Sequence, residues 1–205
     1  MRKPRLTGLV LLSLAILLLG GLSLQSSALR AVWALRSLSD PSKLNTLGER
    51  GANSRLNKIV YWLDQADRGG LAPEGAVGLA QALNFTREPR ASMVKASLLR
   101  NLKIAEQLGL LTEENLERLR RGRAAVVTRG PYAGSNVEID HIVPLSLAPE
   151  VGNELANLEM LPRPLNRSKS NRVGVRQLAH AEALSRAGLI GPDSLARVRA
   201  KASAD

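Results

Sequence analysis

The chain contains no cysteine, which rules out a disulfide, a thiolate zinc site and a cysteine nucleophile. Histidine is nearly as scarce, with two residues in 205, so a metal ion would have to be held mainly by oxygen. Two Trp, two Tyr and one Phe are too few for a binding mode that stacks successive bases on aromatic platforms. Acids are in short supply as well. Eighteen Asp plus Glu face 29 Lys plus Arg, a formal charge of +11, and that balance points to a polyanionic partner, either nucleic acid or an anionic membrane surface. The hydrophobic fraction of 44% and charged fraction of 23% are those of an ordinary globular chain, which excludes disorder throughout. The length leaves room for one compact core plus an appendage.

A long apolar run occurs once. Arg2, Lys3 and Arg5 precede Leu9 to Leu19, then Gly20-Gly21, then small residues at Ser26 and Ala28. This tripartite order is that of a secretory signal peptide over residues 1–28, cleaved before Leu29. The alternative reading keeps it as a membrane anchor, because Leu6 to Leu24 is close to the ~20 residues that span a bilayer. Both readings put the body across the membrane, periplasmic or extracellular, since the basic end stays inside. Segment 1–28 carries three positive charges and no negative one, so the remaining body is still basic.

Residues 29–122 read as several short helices and no strand. Leu56, Ile59, Val60, Leu63 and Ala66 form one stripe of a helix that Asn53 or Ser54 caps and Gly69-Gly70 ends. A second helix starts at Pro73. A longer one runs from about Pro89 to Leu108, with Met93, Val94, Leu98, Leu102 and Ala105 inward, and Thr112 caps the next. Gly70-Leu71, Gly109-Leu110 and Gly188-Leu189 each open the same elbow: a Gly stops one helix, an apolar pair packs, and a cap or Pro with an acid starts another. Trp33 and Trp62 are expected to pack, and His180, within Gln177-Leu178-Ala179-His180-Ala181, to lie on a helix surface. At Arg118 the composition changes: Arg118, Arg120, Arg121, Arg123 and Arg129 follow one another without an acid. Such a run is either a solvated face or a phosphate-binding flank for what comes next.

Chemistry becomes legible between 138 and 172. Val137-Glu138-Ile139 alternates as a strand, Asp140-His141 follows, and Pro144 ends it. A long irregular stretch leads to a second short strand over Asn157 to Leu161. Pro162 and Pro164 then precede a helical stretch with Asn166, Arg167, Lys169, Asn171 and Arg172. Asp140-His141-x-x-Pro144, Asn157-Leu158 and Asn166-x-x-Lys169 stand in an order that resembles the HNH nuclease motif. The version resembled most closely is the HNH domain of the RNA-guided CRISPR nucleases, and the match covers about 40 residues. The resemblance implies an α+β fold with a ββα-metal core at about 130–175, within a unit of 123–205 that ends in C-terminal helices and is braced by helical segment 29–122.

Phosphodiester hydrolysis needs a deprotonated water, a Lewis acid on the phosphate and a stabilised leaving oxygen. His141 is the candidate general base, because a neutral imidazole accepts a proton near neutral pH. Asp140 and Asn166 would offer hard oxygens to one divalent ion, magnesium or alternatively manganese. Catalytic residues implied by the resemblance are therefore His141 and Asn157, the latter as orienter of the loop around His141. Asn153 is a competing candidate for that structural role. Arg167, Lys169, Arg172 and Arg129 are expected to contact phosphates, and Glu138 either assists the metal, holds a basic residue or simply faces solvent from the strand. Adjacent strand residues point to opposite faces, so Asp140 and His141 share one site only if the strand distorts or ends there; a distortion is expected. Many family members carry a third His where Asn166 stands, and zinc-binding Cys pairs that are missing here. The expectation is an exported endonuclease acting on DNA, and on RNA as an open alternative, with low sequence specificity. Its rival is a non-catalytic nucleic-acid-binding protein of the cell envelope.

Overall fold

Helix formation in the first half follows from apolar periodicity and the punctuation between stripes. The computed structural model describes residues 27–204, the side chains of 49–52 excepted; the expected leader or anchor lies almost wholly outside the described residues. Helix α1 covers residues 27–38 and so runs across the expected cleavage point before Leu29. The short α2 (Pro41–Leu44) is capped by the Asp40 carboxylate, which accepts from the Ser42 amide. Next come α3 (Glu49–Arg68), α4 (Pro73–Leu83), α5 (Arg90–Gln107) and α6 (Glu113–Arg120). The five stripe residues of α3, Leu56 to Ala66, are all fully buried, and each large one contributes about 2 kcal/mol by leaving water. Helix α3 packs against α4, α5 and α6. It starts at Glu49, several residues before the expected Asn53 or Ser54, with Gly48 at its N-cap and no side-chain cap.

The three elbows share one hydrogen-bond pattern. Gly70, Gly109 and Gly188 all adopt positive φ, and the next amide in each bonds the carbonyl five residues back: Leu71 to Ala66, Leu110 to Ala105, Leu189 to Leu184. This is the left-handed helix stop for which glycine is the residue of lowest cost.

After α6 the chain turns extended. Val126 bridges Asn136, and β1 (Val137–His141) pairs antiparallel with β2 (Leu158–Pro162), Val137 opposite Pro162 and His141 opposite Leu158. The connection between them is held by two 3₁₀ turns, Pro149–Val151 and Leu155–Asn157. Helices α7 (Arg163–Lys169), α8 (Val175–Arg186) and α9 (Pro192–Ala202) complete the fold. The architecture is α+β, mostly helical, with one small two-stranded antiparallel sheet. One hydrophobic cluster runs from Ala31 in α1 to Val198 in α9 and takes in Val137, Leu158 and Met160, so the sheet shares its core with the helices on both sides. Among the described residues no helix is long and apolar enough to cross a membrane.

Candidate active site

Strand alternation decides which side chains of β1 meet α7. Glu138 and Asp140 are two residues apart on one face, and on α7 Asn166 and Lys169 are one turn apart. The Asn166 amide donates to Glu138 Oε2 at 2.9 Å, and Arg163 donates to Glu138 Oε1 at 2.9 Å. Lys169 forms an ion pair with Asp140 and donates to the His141 carbonyl at 2.7 Å. Its ammonium thus ties Asp140 to the backbone of His141. Of the roles expected for Glu138, the structure shows it holding a basic residue, Arg163.

The expected distortion at Asp140-His141 is absent: the pairing runs one residue to one residue through both, without a bulge. The strand ends at His141 instead. The His141 ring meets the connecting loop, with Nε2 2.9 Å from the Gly152 carbonyl. A carbonyl only accepts, so Nε2 carries the proton, and in the neutral ring Nδ1 keeps its lone pair.

Asn157 is fully buried and holds that loop in place. Its Oδ1 accepts from the Val143 amide at 2.9 Å, and its Nδ2 donates to the Val143 carbonyl at 3.1 Å. Its own carbonyl accepts from the Ile142 amide at 2.8 Å. Two residues after His141, the chain is therefore fixed by one side chain. Asn153 is directed elsewhere, to the Leu47 carbonyl.

Of the four expected phosphate contacts, three already bond within the protein. Lys169 is engaged with Asp140. Arg172 donates to the Ser168 carbonyl and, at 3.4 Å, to that of Lys169, closing the end of α7; α7 stops at Lys169, short of the Asn171 and Arg172 expected within it. Arg129 reaches the Glu106 carbonyl at 3.5 Å. Arg167 is exposed. In the arginine run, Arg120 and Arg121 both pair with Glu117, whose carboxyl Arg120 above all holds down at about 2, and Arg118 pairs with Glu114. Those three belong to a solvated helix face.

His180 is half-buried, not on the surface, with Nε2 3.1 Å from the Ala156 carbonyl. Burial, then the nearby charge of Arg100, lowers its pKa. Trp62 packs edge-on against Tyr61, whereas Trp33 is half-exposed beneath Arg36.

Sequence reasoning missed how the sheet is braced. Asn101 on α5, fully buried, accepts from the Met160 amide at 2.8 Å and donates to the Leu158 carbonyl at 3.0 Å. Ser97 donates to the Leu155 carbonyl at 2.8 Å. Asn115 on α6 clasps Val126 in the same two-handed way, at 2.8 Å to both its N–H and its carbonyl. Asn101, Asn115 and Asn157 thus each use both ends of the amide to satisfy extended backbone, in place of a neighbouring strand. The signal was present: Ser97 and Asn101 are polar residues on the inward stripe of α5.

Among the described residues no three His, Asp or Glu side chains gather closely enough to hold a metal ion. The donors that do share a face with Asp140 are oxygens: the second carboxylate of Glu138 and the Oδ1 of Asn166, whose Nδ2 is spent on Glu138. Hard oxygens of that kind suit a magnesium-type ion that takes its other ligands from water and phosphate, provided Lys169 leaves Asp140. Compared with protein-family models, curated proteins and solved structures, the chain matches none.

Proposed function

We propose that the protein is a metal-dependent endonuclease of the HNH type, exported across the membrane, that hydrolyses phosphodiester bonds of nucleic acid with low sequence specificity. The observation that carries this reading is the state of His141. Its Nε2–H is spent on the Gly152 carbonyl, its Nδ1 lone pair is left over, and the next residue in sequence, Asp140, is held by Lys169, one turn of α7 from Asn166. A base of defined tautomer supports water activation at a phosphodiester, and the carboxylate and amide oxygens between β1 and α7 support a divalent ion.

Asp140 and Asn166 would hold the divalent ion, magnesium or manganese, which supplies Lewis acidity at the scissile phosphate and charge for the leaving oxygen. His141 Nδ1 takes the proton of the attacking water, and the Gly152 carbonyl steadies the imidazolium that forms. Asn157 keeps the loop rigid so that this carbonyl stays under the ring. Lys169, once off Asp140, becomes a cation for a neighbouring phosphate, and Arg167 is a second. The low specificity rests on net charge, which gives phosphate affinity blind to sequence.

The rival, a binding scaffold without chemistry, draws on one observation: Lys169 already neutralises Asp140. Supercoiled-plasmid nicking separates the two. The protein with Mg²⁺ nicks, while EDTA or His141→Ala stops nicking and leaves the gel shift intact. Salt-sensitive binding with no nicking under any divalent ion would establish the scaffold instead.

A further inference from the structure

Away from the candidate site, helices α1 and α4 leave an apolar groove of about 760 Å³ open to solvent. Five large side chains crowd it: Leu29 is 59% exposed, Trp33 50%, Leu79 51%, Leu83 40% and Phe85 87%. The only Phe of the chain and one of its two Trp are thus spent on the surface. Phe85 also adopts a φ of 52°, a left-handed conformation uncommon for a bulky residue, in which the ring projects from the end of α4. A contiguous apolar face of this size marks an interaction surface.

We infer that this groove is the face by which the body lies on the lipid bilayer that holds the N-terminal apolar run. The chain that leads into α1 identifies the occupant. Only four residues separate Leu24, the last residue of the bilayer-length run, from Leu29 in the groove. At about 3.5 Å per residue those steps reach at most about 17 Å. A bilayer that takes up Leu6 to Leu24 therefore draws α1 down to its own surface, and the groove is the apolar face nearest to it in sequence. Its chemistry suits that depth. Trp33 belongs to the residue type that favours the headgroup level, and the Arg36 guanidinium, 5.3 Å over the Trp33 ring, has a stem long enough to reach lipid phosphates. The inference adopts the anchored reading of residues 1–28 and is independent of what the site at His141 does.

Trp33 is its own reporter. In the full-length chain carrying Trp62→Phe, reconstituted with phosphatidylethanolamine–phosphatidylglycerol vesicles, Trp33 emission is expected to shift to the blue. Bromine on the acyl chains is expected to quench it. Leu79→Ser, Leu83→Ser and Phe85→Ser, all at exposed positions and checked for fold by circular dichroism, are expected to relieve the quenching while the protein still floats with the vesicles. Flotation without quenching of Trp33 would overturn the inference, as would failure to float. Shielding of Trp33 without lipid would overturn it too: a second copy covers the groove if the shielding grows with protein concentration, and the chain's own N-terminal residues cover it if not.

Discussion

The two histidines of the chain make the same hydrogen bond to the same loop and differ in everything around it. His141, at the end of β1, meets the Gly152 carbonyl; His180, on α8, meets the Ala156 carbonyl four residues further along. Both bonds fix the proton on Nε2 and leave Nδ1 bare. Next to His141 in sequence, Asp140 lies with Glu138 and Asn166 on the side of the sheet that α7 covers. Around His180, burial first and then the charges of Arg100 and Arg176 lower its pKa. A tautomer set by a backbone carbonyl is therefore common ground; burial and neighbouring cations lower the pKa of His180, and the proposed role of His141 as a base is what the variants below compare.

The contrast breaks most directly in activity. His141→Ala is expected to lower plasmid nicking by about 10²–10⁴-fold, the usual worth of a general base. His180→Gln, which keeps a donor for Ala156, is expected to change nicking little. Equal losses in both variants would mean that the loop, and not the base, had been tested.

Next in size is Asn157→Ala. It strips partners from the buried Val143 N–H and carbonyl at about 1–3 kcal/mol per orphaned group, so a loss of about 2–6 kcal/mol is expected in urea unfolding. Nicking should fall in the folded fraction too, because the Gly152 carbonyl loses its fixed place. Asn101→Ala should cost less, about 1–3 kcal/mol, since Ser97 still reaches the Leu158 carbonyl at 3.2 Å. Its signature is a Tm lower by several degrees with catalysis retained.

The smallest effect sharpens the comparison through pH. A histidine whose folded pKa is depressed binds its proton more readily when unfolded. Stability from His180 is thus full above about 6.5, the ordinary imidazole value, and falls as pH drops below it. Arg100 and Arg176, facing the ring, work in that direction, and Glu159 opposes them. Thermal melts across this range should show a gentler acid decline in His180→Gln than in the parent.

Much of this is legible in the sequence. The α3 stripe and the three glycine elbows depend on contacts within about ten residues, and the β1-to-α7 order follows from the local patterning of each element in turn, so local spacing carries them. Partnerships at long range escaped. Nothing in the spacing shows that Lys169 reaches back 29 residues to Asp140, or that Asn101 reaches forward 57 residues to Leu158. On a helix stripe, a buried Asn reads as a flaw in the pattern until the strand it serves is known. Likewise Trp33 fits the expected packing role by residue type alone. Its exposure depends on the absence of a neighbouring helix over α1 and α4 among the described residues.

The amide of Asn101 has one more effect. A two-stranded sheet has two open edges, and the backbone groups of Leu158 and Met160 that face away from β1 are the kind of row onto which another chain can add a strand. Asn101 takes the carbonyl of one and the amide of the other, and α5 lies over them. A helix side chain thus closes this edge of the one sheet, leaving the carbonyl of Leu158 and the amide of Met160 nothing to offer an incoming strand.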